Sequence, residues 1–169
     1  MTKALRSQIL SFLFYTIIQV VVFQNFNLSE WGFGFVYIAF ILFLPIETPV
    51  ILLLLLAFLQ GITLDVFYNT LGLHSFTIVF LAYLRGYFIR LLAPKMMDDL
   101  SNVNSVAQFG FQRVVVYTLI LVFIHHIFLF FIMAGGTDFI LNTFLKVLIS
   151  TLVSTLIIIS FQRIFFNKI

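Results

Sequence analysis

The sequence predicts an all-α integral membrane protein, a bundle of six transmembrane helices with both termini in the cytoplasm. Three observations lead there. Of 169 residues, 63% are hydrophobic and 24 are Phe, so apolar runs recur almost from end to end. Only 9% are charged, against about 25% in a typical soluble domain. The Lys and Arg of the connections all fall on one side of the alternating segments. Residues 1–169 read as a single polytopic membrane domain with lipid as its main solvent.

The first segment runs from about Gln8 to Gln24. Lys3 and Arg6 precede it, but no small-x-small cleavage site follows, so it is expected to remain as a helix rather than leave as a signal peptide. The second, roughly Gly34 to Leu44, is closed by "PIETP", where Pro45 and Pro49 stop helices on either side. It falls short of the about 20 residues that a spanning helix needs, unless it begins near Trp31, tilts, or is covered by its neighbours. A five-helix chain with a re-entrant second segment is the alternative. The third segment is about Val50 to Val66, and the fourth about Leu73 to Leu92, stopped by Pro94. After the polar connector "PKMMDDLSNVNSVAQ", the fifth runs from about Phe109 to Met133 and the sixth from about Phe139 to Phe161.

With the N-terminus inside, the inner side receives Lys3, Arg6, Arg90, Lys95, Arg113, Arg163 and Lys168. The outer connections receive Glu30, Asp65 and Asp138. That is the positive-inside pattern, and it favours six crossings over five. The net charge of +3 therefore reports orientation, and no basic-aromatic tract suited to nucleic acid is present.

The chain has no Cys, which excludes disulfides, thiolate metal sites and cysteine nucleophiles. It has no HExxH, GxSxG, Walker or GxGxxG motif. His125 and His126 are adjacent on a helix, hence about 100° apart, which suits one metal ion poorly. The expectation is no catalytic residue, no cofactor and no metal.

The polar residues gather in "FLQGITLDVFYNTLGLHSF", residues 58–76. Ala57, Gly61 and Asp65 are four apart and share one face of the third helix, where small residues permit close helix approach. Gly72 precedes the fourth helix and suits a tight turn. Asp65 and His74 are either interfacial polar groups, hydrated at the end of the hairpin, or groups that recognise a partner. Ala82 and Gly86 repeat the small-residue spacing on the fourth helix, with Arg85 between them. Glu47 is the expected partner of Arg85 or Arg90 in an ion pair near the inner boundary. Lys146, about two turns into the sixth helix, is expected to snorkel outwards or to meet Asp65.

"AFLQGITLDVFYNTLGLHSF", followed by "AYLRGY", resembles the rod shape-determining protein MreD family. Its apolar-Phe-x-x-Gly-Leu/Ile-x-x-Asp segment and following Gly-x-His/Asn turn fall on Phe58, Gly61, Ile62, Asp65, Gly72 and His74. About thirty residues carry the likeness specifically; elsewhere it rests on length and hydropathy. It implies a non-catalytic multi-pass component of the bacterial inner membrane, a scaffold of the cell-elongation complex that organises side-wall peptidoglycan synthesis. The implied partner is an MreC-like bitopic membrane protein and, through it, an MreB-like filament and the wall-synthesis enzymes. The implied fold resembles the substrate-binding subunit of energy-coupling-factor transporters. That supplies an alternative function, a vitamin-type binding subunit of a membrane transporter.

Overall fold

The structure, a computed structural model, describes residues 3–23, 27–29, 32–94, 105–135 and 140–165. Glu30, Trp31, Lys95, Asp138, Phe139 and Lys168, which figure in the expectations above, lie outside the described residues, as does most of the polar connector.

Helix α1 (Lys3–Ile18) widens into a π turn at Gln19–Phe23. Strands β1 (Asn27–Ser29) and β2 (Gly32–Phe33) pair antiparallel. Then come α2 (Ile38–Leu42), α3 (Val50–Tyr68), α4 (Leu73–Leu92), a 3-10 turn (Val106–Phe109), α5 (Phe111–Ala134) and α6 (Ile140–Phe165). Among the described residues, five helices are long and apolar enough to cross a membrane: α1 with its π turn, α3, α4, α5 and α6. The chain is an all-α, multi-pass membrane protein.

The second segment departs from its expected form. Only Ile38–Leu42 is helical, and Gly34–Val36 has no regular structure. Residues Val36–Leu42 are nevertheless the most deeply buried run of the chain, each 2% exposed or less. A short element is stable there because the surrounding helices satisfy its backbone, as the absence of water in a bilayer core demands. Gln19 donates to Gly34 O at 3.1 Å and accepts from Val36 N at 2.7 Å. Ser150 and Ser154 of α6 accept from the backbone N–H groups of Phe33 and Phe35, at 3.1 and 2.9 Å. Gln60 of α3 donates to Tyr37 O at 3.1 Å, and Tyr117 of α5 to Leu42 O at 3.1 Å. Arg85 of α4 donates to Leu44 O and Pro45 O. Each of the five long helices therefore lends at least one polar side chain to the central stretch.

Polar side chains also pair with one another across the bundle. Gln162 of α6 donates to Tyr15 Oη of α1 at 2.9 Å, and Thr151 of α6 lies 3.1 Å from His126 Nδ1. The outward faces of α1, α3 and α6 are by contrast apolar, with Leu13, Ile17, Leu55, Ile62, Leu152 and Leu156 exposed. This inside-out arrangement fits lipid as the solvent.

Candidate functional site

The site begins where α3 and α4 touch. Ala57, Gly61 and Asp65 are buried along one face of α3. A Cβ on Gly61 would lie 2.3 Å from Ser75 Cα and 2.7 Å from Ser75 N, so the two backbones meet at that glycine and no side chain fits between them.

One turn further on, Asp65 completes a helix other than its own. The first N–H groups of any α-helix lack intrahelical partners. At α4 the N-cap is Gly72, which has φ +86° and no side chain with which to cap. Asp65 supplies the missing acceptor from across the hairpin. Its Oδ1 accepts from His74 N at 2.9 Å, and its Oδ2 from Ser75 N at 3.0 Å and Ser75 Oγ at 2.6 Å. Thr70 Oγ1 donates to Oδ1 at 2.6 Å. The negative charge also faces the positive end of the α4 dipole. The link between α3 and α4 is closed by Asn69, which takes the left-handed conformation (φ 56°) that asparagine tolerates.

His74 is 2% exposed. Its Nδ1 lies 3.2 Å from Asp65 Oδ1 and 2.9 Å from Thr70 Oγ1. The ring stands 4.9 Å from Tyr68, 5.9 Å from Tyr37 and 6.2 Å from Phe35, centroid to centroid. Asp65 and His74 are thus buried groups that bond each other, rather than separate hydrated groups at an interface. The reason is geometric: closing the hairpin through Gly61 draws both beneath the turn.

The two other histidines are also buried and look in different directions. His125 Nε2 lies 2.7 Å from Tyr37 Oη and 3.2 Å from Thr77 Oγ1. His126 Nδ1 lies 3.1 Å from Thr151 Oγ1 on α6. Phe35 fills the space between them, 5.3 Å from the His126 ring and 6.4 Å from that of His125. Among the described residues, no group of three or more His, Cys, Asp or Glu side chains is placed to hold a metal ion.

On its outward side the hairpin carries a groove of about 790 Å³. Phe58, Ile62 and Val66 line it from α3, with Phe76, Val79 and Tyr83 facing them from α4. Asp65, Thr70 and Ser75 reach its mouth. Phe58 is 47% exposed and lies on this open side, whereas Gly61 and His74 lie on the packed side. Gly86, expected to extend the contact made by Ala82, faces open space instead, with nothing within 4 Å of a built Cβ.

The charged residues near the other end are arranged differently from the sequence expectation. Arg85 is 2% exposed, and among the described residues no ion pair joins it to Glu47. Glu47 and Arg90 are exposed. The carbonyl of Leu44, left free beyond the end of α2, and that of Pro45, which Thr48 also engages, take the guanidinium protons that Glu47 was expected to take. Lys146 is half-buried beside Phe33, Phe130 and Thr143, while the Asp65 carboxylate is engaged by Thr70, His74 and Ser75.

Sequence reasoning missed Gln19, Gln60, Thr70 and Ser75. The first two carried a legible signal, since an amide inside an apolar run must find a partner in the bundle. Thr70 and Ser75 carried none, being ordinary near a turn. No protein-family model, curated protein or solved structure matches the chain.

Proposed function

We propose that the chain is a non-catalytic scaffold of the bacterial inner membrane, an MreD-like component of the cell-elongation complex that binds an MreC-like bitopic partner. Through that partner it helps to organise side-wall peptidoglycan synthesis. One observation supports the reading above others. Phe58, Gly61, Asp65, Gly72 and His74, the residues behind the resemblance, converge on one hairpin. Four of them build its turn, and Phe58 is presented on its open face. The motif thus describes a rigid element with one apolar side turned outwards, which suits contact with another membrane segment.

The path of the central stretch supports a reading of six crossings with both termini on one side. It runs from the end of the bundle where Gln19, Ser150 and Ser154 hold it to the end where Arg85 holds it. Extended residues rise about 3.3 Å and helical ones about 1.5 Å, so residues 32–44 reach on the order of 25 Å, close to the hydrocarbon thickness of about 30 Å. The competing reading, a vitamin-type binding subunit, has less support, because the interior space among the imidazoles is filled by the ring of Phe35.

The test is gentle extraction of the protein from its native membrane and identification of what accompanies it. Co-purification of a bitopic coiled-coil protein is the expected result. An ATPase pair with a bound vitamin would overturn the scaffold reading in favour of transport.

A further inference from the structure

The hydrogen bonds around His74 fix where its proton sits. An ionised carboxylate only accepts, and a threonine hydroxyl has a single proton to give. Thr70 gives that proton to Asp65 Oδ1 at 2.6 Å. His74 Nδ1 therefore faces two acceptors, Asp65 Oδ1 at 3.2 Å and Thr70 Oγ1 at 2.9 Å, and carries the N–H itself. A neutral imidazole has one N–H, so Nε2 is a bare lone pair. That nitrogen is buried and has no hydrogen-bond partner.

An unpaired basic nitrogen in a dry core has a cost, and buried ionisable groups within a membrane bundle commonly serve proton chemistry. The surroundings of His74 suit the charged ring. A carboxylate stands at its Nδ1 edge, and three aromatic rings, Tyr68, Tyr37 and Phe35, lie 4.9 to 6.2 Å away. Aromatic rings at that range attract a cation, more so where water is excluded. His125 and His126 differ. Each also has one unpartnered ring nitrogen, but their bonded neighbours are hydroxyls of Tyr37, Thr77 and Thr151, with no carboxylate. A charge on either would be unbalanced.

We infer that His74 is a proton-binding site, selected over the other two histidines by the Asp65 carboxylate at its Nδ1 edge. The step is simple addition of a proton to Nε2, which leaves an imidazolium paired with the Asp65 carboxylate. Among the described residues, the titratable groups that face His74 are Asp65 and Tyr68 from α3, Tyr37 from the central stretch and His125 from α5. The assignment is independent of any partner.

The experiment is a pH series of imidazole ¹⁵N spectra on the full chain in lipid nanodiscs, where only three histidines contribute. One imidazole, lost in His74→Gln, is expected to become doubly protonated as the pH is lowered, ahead of the other two. The other two are expected to stay neutral. Asp65→Asn is expected to weaken proton binding at least about tenfold. Tyr68→Phe, which keeps the ring, is expected to leave the midpoint in place, while Tyr68→Leu weakens binding about threefold or more. Neither Tyr68 change touches the capping bonds of Asp65, so this pair decides the matter even if the Asp65 variant fails to fold. Three imidazoles that all stay neutral down to the lowest pH at which the chain remains folded, another imidazole charging before that of His74, or equal midpoints in the two Tyr68 variants, would overturn the assignment.

Discussion

Asp65 and Ser75 are joined twice through a single oxygen: Asp65 Oδ2 receives both the backbone N–H of Ser75, at 3.0 Å, and its hydroxyl, at 2.6 Å. A residue at the end of α3 thereby does for α4 what a capping side chain normally does for its own helix. Removing the carboxylate strips several donors at once. Asp65→Ala is expected to destabilise by about 1–3 kcal/mol, the cost of leaving buried donors unpaired. Asp65→Asn should fall between, because its amide keeps one acceptor and turns a donor towards another donor. Denaturation midpoints of the three proteins in one detergent check the order.

Gly61 and Gly86 form a matched comparison. At Gly61 even a methyl group would meet the backbone of Ser75, whereas at Gly86 it would meet nothing. Gly61→Ala should therefore cost about 1–3 kcal/mol as the helices are forced apart. Gly86→Ala should be neutral or slightly stabilising, since alanine is the better helix former. Under the scaffold reading, Gly61→Leu also loses partner co-purification and rod shape. A Gly61→Leu strain that keeps both would remove the hairpin from that role.

Gln19 is expected to be the most sensitive polar position of α1. Its amide also donates to Tyr68 Oη at 2.7 Å, so the carbonyl and amide oxygen bonds to residues 34 and 36 are only part of what it holds. Gln19→Leu leaves Val36 N and Gly34 O without their partner, at about 1–3 kcal/mol for each buried group. Limited proteolysis should find the variant cut more readily within residues 32–36 than the parent.

Arg85 and Glu47 separate a buried carbonyl-bound cation from an exposed acid. Arg85→Met should be severely destabilising, because the buried Leu44 carbonyl loses its donor in the core. Glu47→Gln should stay within about 0.5 kcal/mol of the parent, as surface changes generally do. Charge reversal at Glu47 should not rescue any reversal at Arg85. Rescue in that double variant would restore the ion pair.

How much of this was legible depended on the kind of residue. Hydropathy placed the five long helices within a few residues, because length and composition suffice when lipid is the solvent. The four-residue spacing of Ala57, Gly61 and Asp65 gave the shared face, since helix periodicity is local. What lay beyond reach was pairing across the bundle. Nothing in "GFGFVYIAFILFLP", residues 32–45, says that six side chains from the five long helices will bond its backbone. Nor does Glu47, two residues from Pro45 and two from Pro49, announce that backbone carbonyls will claim Arg85 before it can. Small hydroxyl residues such as Ser75 and Ser154 were silent for the same reason: their role is set by what folds against them.

The central stretch also bears on how the protein is built. Leaving a translocation channel, residues 32–44 would bring unpaired amides into lipid and are too few to cross as a regular helix. Their partners arrive with α1, α3, α4, α5 and α6, the last of which starts about a hundred residues downstream. The stretch is therefore a guest that is seated only when synthesis is nearly finished. Truncation before α6 should leave it exposed to membrane quality control, so the half-made chain marks itself for removal.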